Sequence, residues 1–136
     1  MPLKLLKHKL ATLKNPSHNA QRLNPRINLY QKAANQGDAE AQFNLGLTYK
    51  EGQEVQQDNM MAAKWYQKAA EQGHVTSQFN LGLLYQEGKG VEQDFASAAK
   101  WYQKAAEQGH ITSQFNLALL YQEGKGVEQD FASAAK

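Results

Sequence analysis

The chain has no cysteine, which excludes a disulfide framework and a thiolate metal site and removes any need for an oxidising compartment. Long apolar runs are missing too. In the opening MPLKLLKHKLATLK, the lysines at 4, 7, 9 and 14 interrupt any signal-peptide core, and nothing later approaches the length of a membrane span. A cytoplasmic protein is the expectation. Acid is absent from one end: Met1 to Arg26 hold six Lys or Arg and no Asp or Glu, whereas residues 27–136 hold nine bases and thirteen acids, a net −4. That acidic balance argues against nucleic acid as a partner of the body.

What is present is repetition. Residues 62–100 recur at 98–136 with two changes, Val75 to Ile111 and Gly82 to Ala118, at an offset of 36. A more diverged copy precedes them, because Tyr30, Gly37, Phe43, Leu45, Gly46, Tyr49, Gly52, Val55 and Asp58 each have an identical counterpart 36 positions on. A period in this range means one supersecondary unit stacked on copies of itself, burying its apolar faces mainly against its neighbours. The expected organisation is a basic leader or capping helix over 1–25, units at 26–61, 62–97 and 98–133, and the start of a truncated further helix over 130–136.

One unit reads as two helices. In DFASAAKWYQKAAEQ, residues Phe95, Ala98, Ala99, Trp101, Tyr102, Ala105 and Ala106 share an apolar arc, which makes an amphipathic helix A. Asp94 stands at its N-cap position, as Asp58 and Asp130 do in the other units, and Gly109 ends it. Helix B, Ile111 to Gln122, is apolar on two sides: Ser113, Leu117, Leu120 and Tyr121 on one, Ile111, Phe115, Ala118 and Leu119 on the other. It needs two covers, its own helix A and the next one. Gly46 and Gly82 inside helix B cost about 1 kcal/mol each relative to Ala, so close helix approach is expected there. Ala118 suggests that a methyl is tolerated at that position, and Glu54 in place of Gly90 suggests that the return loop does not require positive φ.

The succession WYQKAAEQG, LGxxYxxGxGV and a capping Asp, in three units over roughly residues 26 to 129, resembles the Sel1-like repeat, a relative of the tetratricopeptide repeat. The resemblance implies an all-α, right-handed α/α solenoid. It also implies a non-catalytic scaffold or adaptor whose helices A line a concave face that holds a protein or peptide. On that basis the expected contact residues are Gln31, Lys32, Lys64, Gln67, Lys68, Glu71, Ser97, Lys100, Gln103, Lys104 and Glu107, with amide and ammonium groups suited to peptide backbone and carboxylates.

Other chemistry is weighed against this. Ser97–Lys100 and Ser133–Lys136 fit the Ser-x-x-Lys spacing of β-lactamase-type serine hydrolases, an activity described for cysteine-rich Sel1-like proteins. Supporting SDN-like and KTG-like tripeptides are absent, and Met61 replaces the serine in the first unit. His74 and His110 recur once per unit, with equivalent atoms ~10 Å or more apart, too far to share a metal. They read as polar turn residues, and neither metal nor cofactor is expected. GKG at 88–90 and 124–126 lacks the spacing of a phosphate loop. Trp65 and Trp101 lie on apolar arcs and read as packing residues rather than base-stacking platforms. In the head, Leu3, Leu6, Leu10 and Leu13 share a helical face among lysines, which fits a cap or leader better than membrane contact. Because the last helix A stops before its WYQ, Ile111, Phe115 and Leu119 are expected to be exposed, giving self-association or marking a piece of a longer array.

Overall fold

The computed structural model describes residues 24–127. Among them are six helices and no strand: α1 (Pro25–Asn35), α2 (Ala39–Glu51), α3 (Asn59–Glu71), α4 (Val75–Glu87), α5 (Phe95–Glu107) and α6 (Ile111–Glu123). Helices α1, α3 and α5 are the helices A; α2, α4 and α6 are the helices B. The 1–23 leader and the 130–136 segment lie outside the described residues.

Each boundary has a local cause. Asp58 and Asp94 accept from the amides of Met61 and Ser97, both at 3.1 Å, and so cap α3 and α5. Asp38 does the same for α2, accepting from Ala41 N–H at 2.9 Å. Where Asp38 stands, later units carry histidine, and Nδ1 of His74 and His110 takes over, accepting from the Ser77 and Ser113 amides at 3.2 and 3.1 Å. The helices A end before Gly37, Gly73 and Gly109, and after Gly109 the His110 amide turns back to the Ala105 carbonyl at 3.1 Å.

Packing is sequential, as a solenoid requires. Every helix touches its chain neighbours among the described residues, and α2 and α4 each pack more extensively on the following helix A than on their own. Leu45, Leu81, Tyr66 and Tyr102 are fully buried. Burying a Leu or aromatic side chain of this kind contributes ~1.5–3 kcal/mol, so stability resides in the interfaces between units.

The helix-B glycines are explained by those tyrosines. A methyl on Gly46 would lie 2.5 Å from the Tyr66 ring, and one on Gly82 would lie 2.6 Å from the Tyr102 ring. The expectation that this position tolerates a methyl therefore fails inside the array. Ala118 holds the equivalent position in α6, against which no helix A of a following unit packs among the described residues. Glu54 requires a second correction. Its φ is +65°, alongside +74° for Gly90 and +70° for Gly126, so the return loop does demand left-handed backbone at this point. Glycine serves there in the later units because a Cβ on Gly90 would meet the Asn59 carbonyl oxygen at 2.2 Å. Glu54 is held instead by its carboxylate, which pairs with Arg26 at 3.0 Å and accepts from Asn24.

A glutamine ladder ties the units together. Gln42 donates to the Ala34 carbonyl at 3.1 Å and accepts from Gln72 at 2.9 Å, while Gln72 also donates to the Gly37 carbonyl at 2.8 Å. One unit on, Gln78, Ala70, Gln108 and Gly73 repeat this arrangement at 3.0–3.1 Å. Gln42 and Gln78 are buried, so these bonds satisfy amides that would otherwise be stranded.

Candidate interaction surface

The apolar arc of each helix A faces the core, and its opposite side faces solvent. Lys64, Lys68, Glu71, Lys100, Gln103, Lys104 and Glu107 are exposed, as is Lys32, while Gln31, Gln67 and Ser97 are half-buried. Five of the eleven expected contact residues come together in one place: Gln67, Glu71, Lys100, Lys104 and Glu107 line a groove of about 480 Å³ between α3 and α5. Ala70, Gly73 and Trp101 form its apolar part, with Gln78 and Gln108 of the ladder beside them. Lys64 is outside this groove and lines a neighbouring hollow of about 250 Å³ with Met60 and Tyr85. Gln31 donates to Asn35 at 3.0 Å on α1.

The ammonium groups are positioned by aromatic rings. Lys100 and Lys104 lie 5.3 and 5.9 Å from the Trp101 ring centre, and Lys68 lies 5.7 Å from that of Trp65. Such contacts contribute about 0.5–1 kcal/mol at exposed sites and restrict where the long side chains point. The tryptophans themselves are 6% and 5% exposed, which suits packing and rules out their use as stacking platforms. Gln67 donates to Glu71 at 2.8 Å and Gln103 to Glu107 at 2.9 Å, each one turn along its own helix.

The Ser-x-x-Lys pair is not assembled as a dyad. The Ser97 hydroxyl donates to the Asp94 carboxylate at 2.8 Å, completing the start of α5, and Lys100 is drawn to Trp101. The Ser97 side chain, followed by backbone amides, holds the Asp94 carboxyl below its ordinary range. Ser133 and Lys136 fall outside the described residues. Sequence reasoning overlooked a different cluster. His74 Nδ1 lies 2.9 Å from the Ser77 hydroxyl, and its Nε2 lies 2.9 Å from Glu40. This has the membership of a Ser-His-Glu triad, but Ser77 is fully buried and no carbonyl can reach it. Its role is to start α4, with the His74 ring stacked on Phe43 at 4.9 Å between centroids. Asp38 standing at the equivalent position was the available sequence signal for this capping role. Among the described residues no group of three His, Asp or Glu is placed to hold a metal, and no helix is long and apolar enough to cross a membrane.

Ile111, Phe115 and Leu119, expected to be exposed, are 78%, 63% and 37% exposed among the described residues. They form one apolar stripe on α6.

Comparison with known proteins agrees with this architecture. The Sel1 repeat family matches residues 27–38, 39–74, 75–110 and 111–136, two complete 36-residue units flanked by partial ones and counted from helix B. No curated protein matches. Among solved structures, the chain is similar to a protective antigen of uropathogenic Escherichia coli with an SLR fold, at 42% identity and a TM-score of 0.75, over 79% of this chain and 23% of that one. It is also similar to a Sel1 repeat protein from Oxalobacter formigenes, at 40% identity and 0.69, over 73% of this chain and 39% of the other. A third similar structure is Helicobacter pylori cysteine rich protein B, at 28% identity and 0.62, over 64% of this chain and 65% of that one. The chain thus spans well under half the length of the first two. With four consecutive family matches over the helical hairpins described above, the chain belongs to the Sel1 repeat family.

Proposed function

We propose that this array is a non-catalytic protein- or peptide-binding scaffold that uses the outward rows of α1, α3 and α5. Proteins built from Sel1 repeats commonly act as interaction scaffolds, which gives the class of activity and no particular partner. The observation that carries the reading is the groove between α3 and α5. It is open, polar and built from residues that recur with the 36-residue period, so successive units offer successive contacts to a long partner. The two arrangements that most invite an enzymatic reading, Ser97 with Lys100 and Ser77 with His74, are both engaged in starting helices.

The test is capture from the native cell. Replacing Lys32, Lys64, Lys68, Lys100 and Lys104 together with Gln should remove co-purifying proteins while leaving the helical circular dichroism unchanged. An unaltered set of captured proteins would end this reading, as would turnover of a chromogenic β-lactam that depends on Ser97.

A further inference from the structure

The fold treats two groups of lysines differently. In the return loops, Lys89 and Lys125 reach Glu87 and Glu123, both at 2.9 Å. On the helices A, Lys32, Lys64, Lys68, Lys100 and Lys104 form no ion pair among the described residues. This is notable in a body whose net charge is −4. Most of its acids lie at helix-B ends, in return loops and at caps, for example Glu51, Glu54, Asp58, Glu87 and Glu92, and the outward rows, which carry these five lysines against Glu71 and Glu107, are net cationic on an acidic array.

We propose that the α3–α5 groove takes an extended acidic segment of a partner protein, its carboxylates directed at Lys100 and Lys104. This rests on the scaffold reading and adds the chemistry of the partner. Three features of the groove fit such a segment. Both ammoniums are already held near Trp101, so less side-chain freedom is lost on pairing. The amide NH₂ groups of Gln67 and Gln108 donate to Glu71 and to the Gly73 carbonyl, which leaves their carbonyl oxygens to accept N–H groups from an extended backbone. The next pair, Lys64 and Lys68, stands one unit away, on the order of 10 Å. A segment in the extended polyproline II conformation advances ~3.1 Å per residue and turns once in about three residues, so a carboxylate at every third position stays on one face and meets successive pairs. A continuous polyphosphate fits less well, because Glu71 and Glu107 on the groove wall repel charge that cannot skip past them.

The experiment is fluorescence anisotropy of the full chain with a labelled peptide bearing Glu at every third position and Ser or Gly between. The result expected is binding that weakens at least tenfold in Lys100→Gln/Lys104→Gln, weakens similarly when the peptide's Glu residues become Gln, and tightens in Glu71→Gln/Glu107→Gln. The last variant retains all the lysines and so checks the charge argument independently of any loss of folding. Equal affinity of the lysine variant, no binding of the peptide, or equally tight binding of oligothymidylate would each overturn the proposal. If the peptide fails while lysine-dependent capture of cellular proteins persists, the acidic chemistry is wrong and the scaffold reading stands.

Discussion

Helices α4 and α6 differ at two of thirteen positions, yet their outer faces occupy different worlds. Phe79 and Leu83 of α4 pack against a cluster containing Ala98, Ala99 and Tyr102 of α5, whereas Phe115 and Leu119 of α6 are 63% and 37% exposed. Composition and helix propensity are nearly the same in both. Among the described residues α4 has a following helix A and α6 has none, and one of the two substitutions, Gly82 to Ala118, falls at that contact. Gly82 leaves room for the Tyr102 ring, and Ala118 would not leave room for an equivalent one. In this array a residue's burial is a property of the pair of units, so the sequence of one unit does not determine it.

Alkaline pH should have the largest effect, because it ionises the tyrosines buried at both interior interfaces. Burial, above all, pushes the Tyr66 and Tyr102 hydroxyls up to about 12 from an ordinary 10. The unfolded chain therefore loses these protons first, and the stability they provide is intact below about pH 10 and lost as the pH rises towards about 12. A base titration should show loss of helix coinciding with ionisation of the buried tyrosines. Ionisation of all six tyrosines near pH 10 before any loss of helix would contradict it.

Next in size is the pair Phe79→Ala and Phe115→Ala. The first should cost about 2–3 kcal/mol, since it removes packing against Tyr102 and His110, and the second should stay within about 0.5 kcal/mol of the parent. Equal losses in denaturant unfolding would show that α6 is covered in solution. For the glycine position, Gly82→Ala should destabilise by about 1–2 kcal/mol, overpacking outweighing the better helix former. Ala118→Gly should also destabilise, by about 1 kcal/mol, from propensity alone. A stabilising Gly82→Ala would remove the tyrosine seat from the explanation.

The smallest effect separates the two interior interfaces. The Tyr102 hydroxyl donates to Gln86 at 2.5 Å, but the equivalent position in the first unit is Lys50, and the buried Tyr66 hydroxyl completes no hydrogen bond, although Asn80 is near. Lys50→Gln should therefore gain about 1 kcal/mol in thermal or denaturant melts.

The parts of this structure legible in the sequence are those with local causes. The Asp58 and Asp94 caps, the glycine stops and the two-sided helix B follow from spacing, and the 36-residue period announced the solenoid. What escaped depends on partners far along the chain. The ladder joins Gln42 to Gln72 and Gln78 to Gln108 across thirty residues, and each of these reads in isolation as an ordinary solvated amide. The left-handed Glu54 was hidden because its support comes from Arg26 and Asn24 rather than from its own turn. For the surface, helical angles sufficed to separate the outward lysines from the core. They did not reveal which of them share a groove, because that depends on how α3 and α5 are set side by side.

The central claim is that successive units display the same binding face, each held in place by its neighbour. Its most direct test compares equivalent lysine pairs, Lys64→Gln/Lys68→Gln against Lys100→Gln/Lys104→Gln, in quantitative capture of partner proteins from the native cell. Comparable losses from the two pairs, multiplying when combined, are the predicted result. Full capture by either variant, with the whole effect confined to the other pair, would contradict a face repeated from unit to unit and point to a single local site.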